Sequence, residues 1–88
     1  GHGSVQPRFA FEVQLDEIAT KLDIDPIEIR RKNFVGEHTT TVNDQRITSN
    51  GFLECLDAVE EASSWKDKHS KMTFGKGIGI AGSMYISG

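Results

Sequence analysis

Apolar residues recur at three- and four-residue intervals through the first quarter of the chain: Val5 and Phe9, then Phe11, Leu15, Ile18 and Leu22. Glu12, Asp16, Glu17 and Lys21 fall mostly on the other side. That period predicts an amphipathic helix over about residues 5–22. Ser4 is its expected N-cap, and Pro7 falls in the first turn, where a missing N–H costs no intrahelical bond.

A second start signal follows at once. Asp25-Pro26-Ile27-Glu28 puts a capping carboxylate before a proline at the first helical position, with Glu28 placed to close a capping box and Ile24 placed to staple onto Ile29. A helix over about 26–34 is expected, ending in Arg30, Arg31 and Lys32, whose charges suit the negative end of a helix dipole, with Gly36 just beyond. Residues 37–50 hold four threonines and no helical period, and predict a long loop or a short extended pair around Asn43-Asp44. A third helix is expected over about 51–63, with Phe52, Leu56 and Val59 inward, Leu53 and Ala62 beside them, and Glu54, Asp57, Glu60 and Glu61 in solvent. Trp65 then closes the core and Lys66 to Lys71 forms a polar linker. From Lys76 to Ile86 small residues alternate with Ile78, Ile80, Met84 and Ile86, which predicts a glycine-rich strand over about 76–86 that must pair outside these elements. The expected class is α+β: two to three helices, a long loop and a C-terminal strand.

Composition narrows the functional classes. At 88 residues the chain can hold one modest core. A net charge of −3 with basic residues scattered along the sequence lacks the phosphate-tracking stripe of a nucleic-acid binder. The uncharged stretch from Gly77 to Gly88 is too short and too polar to span a bilayer, so no membrane insertion is expected. The single cysteine, Cys55, rules out an internal disulfide and any multi-cysteine metal site built from this chain, and fits a reducing, cytoplasmic setting. The first residue is not Met, and the first residues show neither the basic start nor the apolar core of a signal peptide, so the sequence reads as an internal piece of a longer one.

Few residues suggest chemistry on their own. Gly77-Ile78-Gly79-Ile80-Ala81-Gly82 fits G-x-G-x-x-G, but a dinucleotide site needs a following helix and an acidic residue about twenty positions on, and six residues remain. A glycine-rich strand packed against a neighbour explains the pattern better. His2, His38 and His69 match no metal spacing. Cys55, beside the apolar stripe of the third helix and without a nearby cation, reads as a small buried hydrophobe. The paired carboxylates Asp16–Glu17 and Glu60–Glu61 fall on faces expected to be exposed, where general acid–base work is not supported. No catalytic residue and no metal ligand is assigned.

The motifs taken in order carry more than any one alone. Gly1-His2-Gly3-Ser4-Val5-Gln6, then Leu22-Asp23-Ile24-Asp25-Pro26-Ile27-Glu28-Ile29-Arg30-Arg31-Lys32-Asn33-Phe34, resembles the molybdenum-binding large subunit of the xanthine dehydrogenase and aldehyde oxidoreductase family. There an R-G-x-G turn precedes a helix and then a G-x-D-P-x-E-x-R-x-K-N run. Thr48-Ser49-Asn50-Gly51-Phe52-Leu53-Glu54-Cys55-Leu56 and Gly75-Lys76-Gly77-Ile78-Gly79-Ile80-Ala81 are similar to two later family motifs, so the resemblance covers nearly the whole chain. Within the family, Gly1 to Val5 before Arg8-Phe9-Ala10-Phe11-Glu12, with Thr41-Val42-Asn43-Asp44 and Met84-Tyr85-Ile86-Ser87-Gly88, looks most like the 4-hydroxybenzoyl-CoA reductase branch.

The resemblance implies a segment of a molybdopterin-binding domain in an oxidoreductase of aromatic degradation. It implies a molybdopterin-bound molybdenum, iron–sulfur clusters and FAD on companion subunits, and an aromatic CoA thioester or other aromatic or aldehyde substrate. Carried over position by position, Gly1 and Gly3 would lie against the cofactor and His2 would face substrate, while the motif's arginine would precede Gly1. Xanthine-oxidising relatives carry Phe where His2 stands; an imidazole would offer a hydrogen-bonding, protonatable edge instead. Tyr85, on the expected strand, is the other candidate substrate contact. The family's catalytic glutamate, its other pterin-binding segments and its cysteine clusters have no counterpart here, so the 88 residues are expected to be inactive alone. The competing expectation is a stand-alone interaction module that docks a partner through the acidic third helix and the glycine-rich strand.

Overall fold

The computed structural model describes residues 2–85. A 3₁₀ turn, His2–Ser4, runs into helix α1, Val5–Leu22. Ser4 itself has helical angles (φ −86°, ψ −20°), so the capping geometry expected there is replaced by a continuous helical lead-in. Asp23 ends α1 in the left-handed region, where its N–H reaches the carbonyls of Ala19 and Thr20, a conformation that a short polar side chain tolerates.

Two residues later Asp25, extended, starts helix α2, Pro26–Lys32. Its Oδ1 accepts the Ile27 N–H at 2.8 Å, which satisfies one of the orphan donors of the first turn. Glu28 does not complete the capping box. Its carboxylate turns along the helix to accept from Arg31. Two-residue strands β1, Thr39–Thr40, and β2, Arg46–Ile47, pair antiparallel across the intervening turn, with Thr39 opposite Ile47. Helix α3, Phe52–Ser63, follows; Ser64, left-handed, ends it and begins the one-turn helix α4, Trp65–Lys68, within the stretch expected to be a linker.

The core is small. Ile27, Leu56 and Trp65 are buried together, with Phe52, Leu53, Ile78 and Ile80 packed against them. Asp25 ties this cluster: besides capping α2, its Oδ2 accepts the Trp65 indole N–H at 2.9 Å, and His69 stacks on that indole at 4.5 Å between centroids. The segment expected as a strand runs through Ile78 and Ile80 without any ladder partner among the described residues, and Ile86 lies outside them. Its two isoleucines alternate inward as a strand's would; hydrogen-bonding neighbours are what it lacks.

Helix α1 is oriented differently from expectation. Val5, Phe9, Phe11, Ile18 and Leu22 are exposed, Phe9 by 75%, whereas Glu12, expected in solvent, is buried. The inward seam is Arg8, Glu12, Leu15, Asp16 and Ala19, which also keeps helical spacing. It faces α2 because Arg30, buried as well, neutralises it. Apolar residues on several sides of α1 leave the choice of face to this charge pairing. On α3, Val59 and Ala62 are exposed, and so is Cys55, which is therefore no buried hydrophobe. The chain exposes 6935 Å², against about 5,100 Å² for a compact monomer of its mass. The uncovered side of α1 contributes to the excess.

Candidate functional site

Residues expected to matter lie toward the two ends of the described chain. His2 and Gly3 sit exposed in the turn that leads into α1, and a Cβ placed on Gly3 would meet nothing within 4 Å. Gly1 lies outside the described residues. Tyr85 is half exposed at the far end of the unpaired segment. No hydrogen bond, ion pair or ring contact joins His2, Gly3 and Tyr85 among the described residues, so the chain by itself presents them as separate surfaces.

Between those ends lies a groove of about 340 Å³ under α1, with Phe11, Leu15, Phe34, Phe52 and Met84 among its walls. Phe34 and Phe52 stack with planes 6° apart and centroids at 6.3 Å. Arg8 lies over the Phe11 ring at 5.7 Å. The groove's amides are spent on the fold. Asn33 Nδ2 donates to the Ile29 carbonyl at 2.7 Å, and Asn50 bridges the Val35 carbonyl and the Phe52 N–H.

The floor of this groove is ionic. Glu12 Oε2 accepts from Arg30 Nε at 2.8 Å, lies 2.6 Å from Arg30 Nη2, and accepts the Gly82 N–H at 3.0 Å. Arg30 Nη1 donates to Asp16 Oδ1 at 3.0 Å and to the Pro26 carbonyl at 2.8 Å. Arg31 leaves α2 on another side, where its Nη2 donates to Asp57 at 2.6 Å and Glu60 at 3.1 Å of α3. Hydrogen bonding to Glu60, then to Asp57 and Glu28, raises its pKa further against an opposing desolvation, so it stays charged. Arg30 and Arg31 are therefore helix-to-helix ties as well as end charges, and the acidic side of α3 is not merely solvated.

Sequence reading missed Glu12, Arg30 and Asp25–Trp65 as organising pairs. The available signal for Glu12 was its four-residue spacing from both Arg8 and Asp16, which marks a charged seam on one helix. Among the described residues no three His, Cys, Asp or Glu side chains gather as a metal site, and no helix is long and apolar enough to cross a membrane.

Residues 1–34, the turn with α1 and α2, match the molybdopterin cofactor-binding domain. Nearly the whole chain aligns with a putative xanthine dehydrogenase molybdenum-binding subunit of Escherichia coli (strain K12), 34% identical over 93 residues, 99% of this chain and 12% of that protein. The chain is thus similar, over a short stretch, to a molybdenum-binding subunit of xanthine dehydrogenase. Other relatives are an aldehyde oxidoreductase of Megalodesulfovibrio gigas, 33% identical over 92 residues, all of this chain and 10% of that one. A nicotine 6-hydroxylase large subunit of Paenarthrobacter nicotinovorans is 32% identical over 92 residues, 98% of this chain and 11% of that protein. The chain thus spans about a tenth of the length of these relatives. No solved structure matches it.

Proposed function

We propose that these residues are a wall of the cofactor and substrate pocket in the large subunit of a molybdenum-dependent oxidoreductase, of the kind that removes a phenolic hydroxyl from 4-hydroxybenzoyl-CoA. The observation that carries the reading is the exposed His2–Ser4 turn, lying inside the stretch that matches a molybdopterin cofactor-binding domain. The residues fit such a group at one edge. Gly3 has open space where a side chain would stand, and α1 has no acidic residue in its first turn to oppose an anionic ligand at the positive end of its dipole.

When bound, the cofactor supplies two-electron redox chemistry. The net reaction adds two electrons and two protons, replaces the ring C–OH bond with C–H and releases water; the electrons come through iron–sulfur and FAD companions. Within that scheme Gly1 and Gly3 allow close backbone approach to the cofactor. His2 presents an imidazole that hydrogen-bonds the polar groups of an aromatic substrate, and Tyr85 borders the same space from the C-terminal segment. The resemblance of Gly1 to Val5, Thr41 to Asp44 and Met84 to Gly88 to the 4-hydroxybenzoyl-CoA reductase branch is what supports the phenolic acyl-CoA substrate, with another aromatic or aldehyde substrate as the alternative.

The uncovered apolar residues of α1, among them Val5, Phe9 and Leu22, would be covered by the remainder of the large subunit. The 88 residues alone are then inactive, and the assembled enzyme works in the cytoplasm. In the complete enzyme, His2→Ala is expected to change kcat or KM for 4-hydroxybenzoyl-CoA, followed as benzoyl-CoA formation with a low-potential reductant, by tenfold or more while molybdenum content stays as in the wild type. Unchanged kinetics would remove His2 from the site; a molybdenum-loaded wild type that leaves 4-hydroxybenzoyl-CoA untouched would end the substrate assignment.

A further inference from the structure

Glu12 is a buried carboxylate in a helix whose apolar residues are largely in solvent. A buried Glu–Arg pair commonly contributes no more to stability than two apolar residues of the same size. Apolar packing could therefore hold α1 against α2 equally well, so the stability of that contact does not by itself single out a carboxylate. A partner outside the two helices does need an acceptor here. Oε2 accepts the N–H of Gly82, 70 residues away, at 3.0 Å, in addition to the guanidinium of Arg30.

Gly82 makes that contact while its backbone lies close against Phe52. A Cβ there would stand 3.1 Å from Cε2 and Cζ of Phe52, so that the ring would have to give by a few tenths of an ångström, and 3.9 Å from Glu12 Oε1. Cβ atoms on Gly77 and Gly79 would meet nothing within 4 Å. So the glycine that matters for close approach in this segment is the one bonded to Glu12. Upstream, Ile78 and Ile80 hold the segment to the core by packing. Among the described residues, the Gly82 hydrogen bond is the polar tie between residues 77–85 and the helices.

We infer that Glu12 is a positioning residue: paired with Arg30, it anchors the Gly82 backbone to α1, so that one helix sets both the His2–Ser4 turn at its start and the path of the segment that delivers Met84 and Tyr85. This rests on the pocket-wall reading above, in which His2 and Tyr85 face the same substrate. Releasing the anchor loosens the Tyr85 side of the pocket and leaves the Gly1–Gly3 side, and with it the cofactor, in place.

The test uses the complete, cofactor-loaded enzyme. The pair Glu12→Leu with Arg30→Met keeps apolar packing between the helices and removes the acceptor; Glu12→Gln keeps the shape and removes the charge. Three quantities are read: backbone hydrogen exchange over residues 77–85, molybdenum content, and the separate kcat and KM for 4-hydroxybenzoyl-CoA. The double variant is expected to exchange about tenfold faster around Gly82, as loss of a charge-assisted hydrogen bond implies. Molybdenum should be unchanged, and KM should rise about tenfold with kcat within about twofold. Glu12→Gln should fall between it and the wild type, and decides the matter if the double variant does not fold. Wild-type exchange in a folded variant overturns the anchor, and faster exchange with unchanged KM overturns its role in positioning. If the wild type is loaded with molybdenum yet inert toward 4-hydroxybenzoyl-CoA, the substrate reading has failed, and the exchange data still accept or reject the anchor.

Discussion

Arg30 and Arg31 are neighbours on α2, and their guanidinium groups end in different surroundings. The Arg30 side chain is 2% exposed and meets Glu12 and Asp16 of α1; that of Arg31 is 23% exposed and meets Asp57 and Glu60 of α3. Both tie α2 to a neighbouring helix with the same chemical group. In the first tie, water is kept from the guanidinium and from Glu12, so these two charges depend on each other and on the backbone groups around them, while Asp16 stays half-exposed. In the second, water and salt reach Asp57 freely and the guanidinium and Glu60 in part. One helix therefore carries a tie that cannot be half removed beside a tie that can be removed at little cost.

The comparison is broken most severely by Arg30→Ala. It breaks the buried pair and leaves Glu12 with only the partly exposed Arg8, 3.9 Å away, as a counter-ion, which costs about 3–5 kcal/mol, a large part of a small domain's stability. The expected outcome is loss of soluble folded protein or a collapse of the urea midpoint. Adding Glu12→Leu to an Arg30→Met background should recover most of the loss, because the penalty comes from the unpaired charge. If Arg30→Ala were mild, Glu12 would have to be reached by water or paired by Arg8 instead, and the contrast with Arg31 would vanish.

Asp25→Ala should come next, at about 2–3 kcal/mol. It removes an N-cap, worth about 1 kcal/mol, and leaves the indole N–H of buried Trp65 without its acceptor, a further cost of about 1–2 kcal/mol. Trp65→Phe on the Asp25→Ala background separates the two, since it deletes the stranded donor. The result sharpens the comparison: a neutral donor facing a half-exposed carboxylate should fall between the sealed ion pair and the open one.

How far the sequence could be read follows the same division. Asp25-Pro26 is a local signal, and the structure puts the cap and the start of α2 there, because capping depends on a few adjacent residues. The Gly51-Phe52 start and Ser63 end of α3 are local in the same sense. Which side of α1 turns inward is not local. Val5, Phe9, Ile18 and Leu22 have the spacing of a core face, yet Glu12 and Ala19 are buried, because Arg30, far along the chain, needs a counter-ion where α2 crosses. Cys55 was misread for a related reason: adjacency to an apolar stripe does not say which way a narrow core will face. At the site, His2 and Gly3 were legible through motif resemblance, whereas the link between Glu12 and the Gly82 backbone was not, since a main-chain N–H leaves no mark in the sequence.

Arg31→Ala is the smallest effect and the most informative about medium. Exposed ion pairs contribute about 0–1 kcal/mol, and three partners sharing one guanidinium should place the loss near about 1 kcal/mol at low salt. In about 0.5 M salt the screening length falls to roughly 4–5 Å, and the loss should shrink below about half of that, whereas the Arg30→Ala loss should hardly change. Alkaline pH should not mimic the substitution. Because the folded state raises the Arg31 pKa, its contribution is complete at every pH below the ordinary arginine range and is lost only above it. Urea midpoints of wild type and Arg31→Ala at pH 7 and pH 10, each at low and high salt, should therefore differ by salt and not by pH. A loss as large and as salt-insensitive as that of Arg30→Ala would mean that the α2–α3 contact is sealed from water after all, and that the two neighbouring arginines are equivalent.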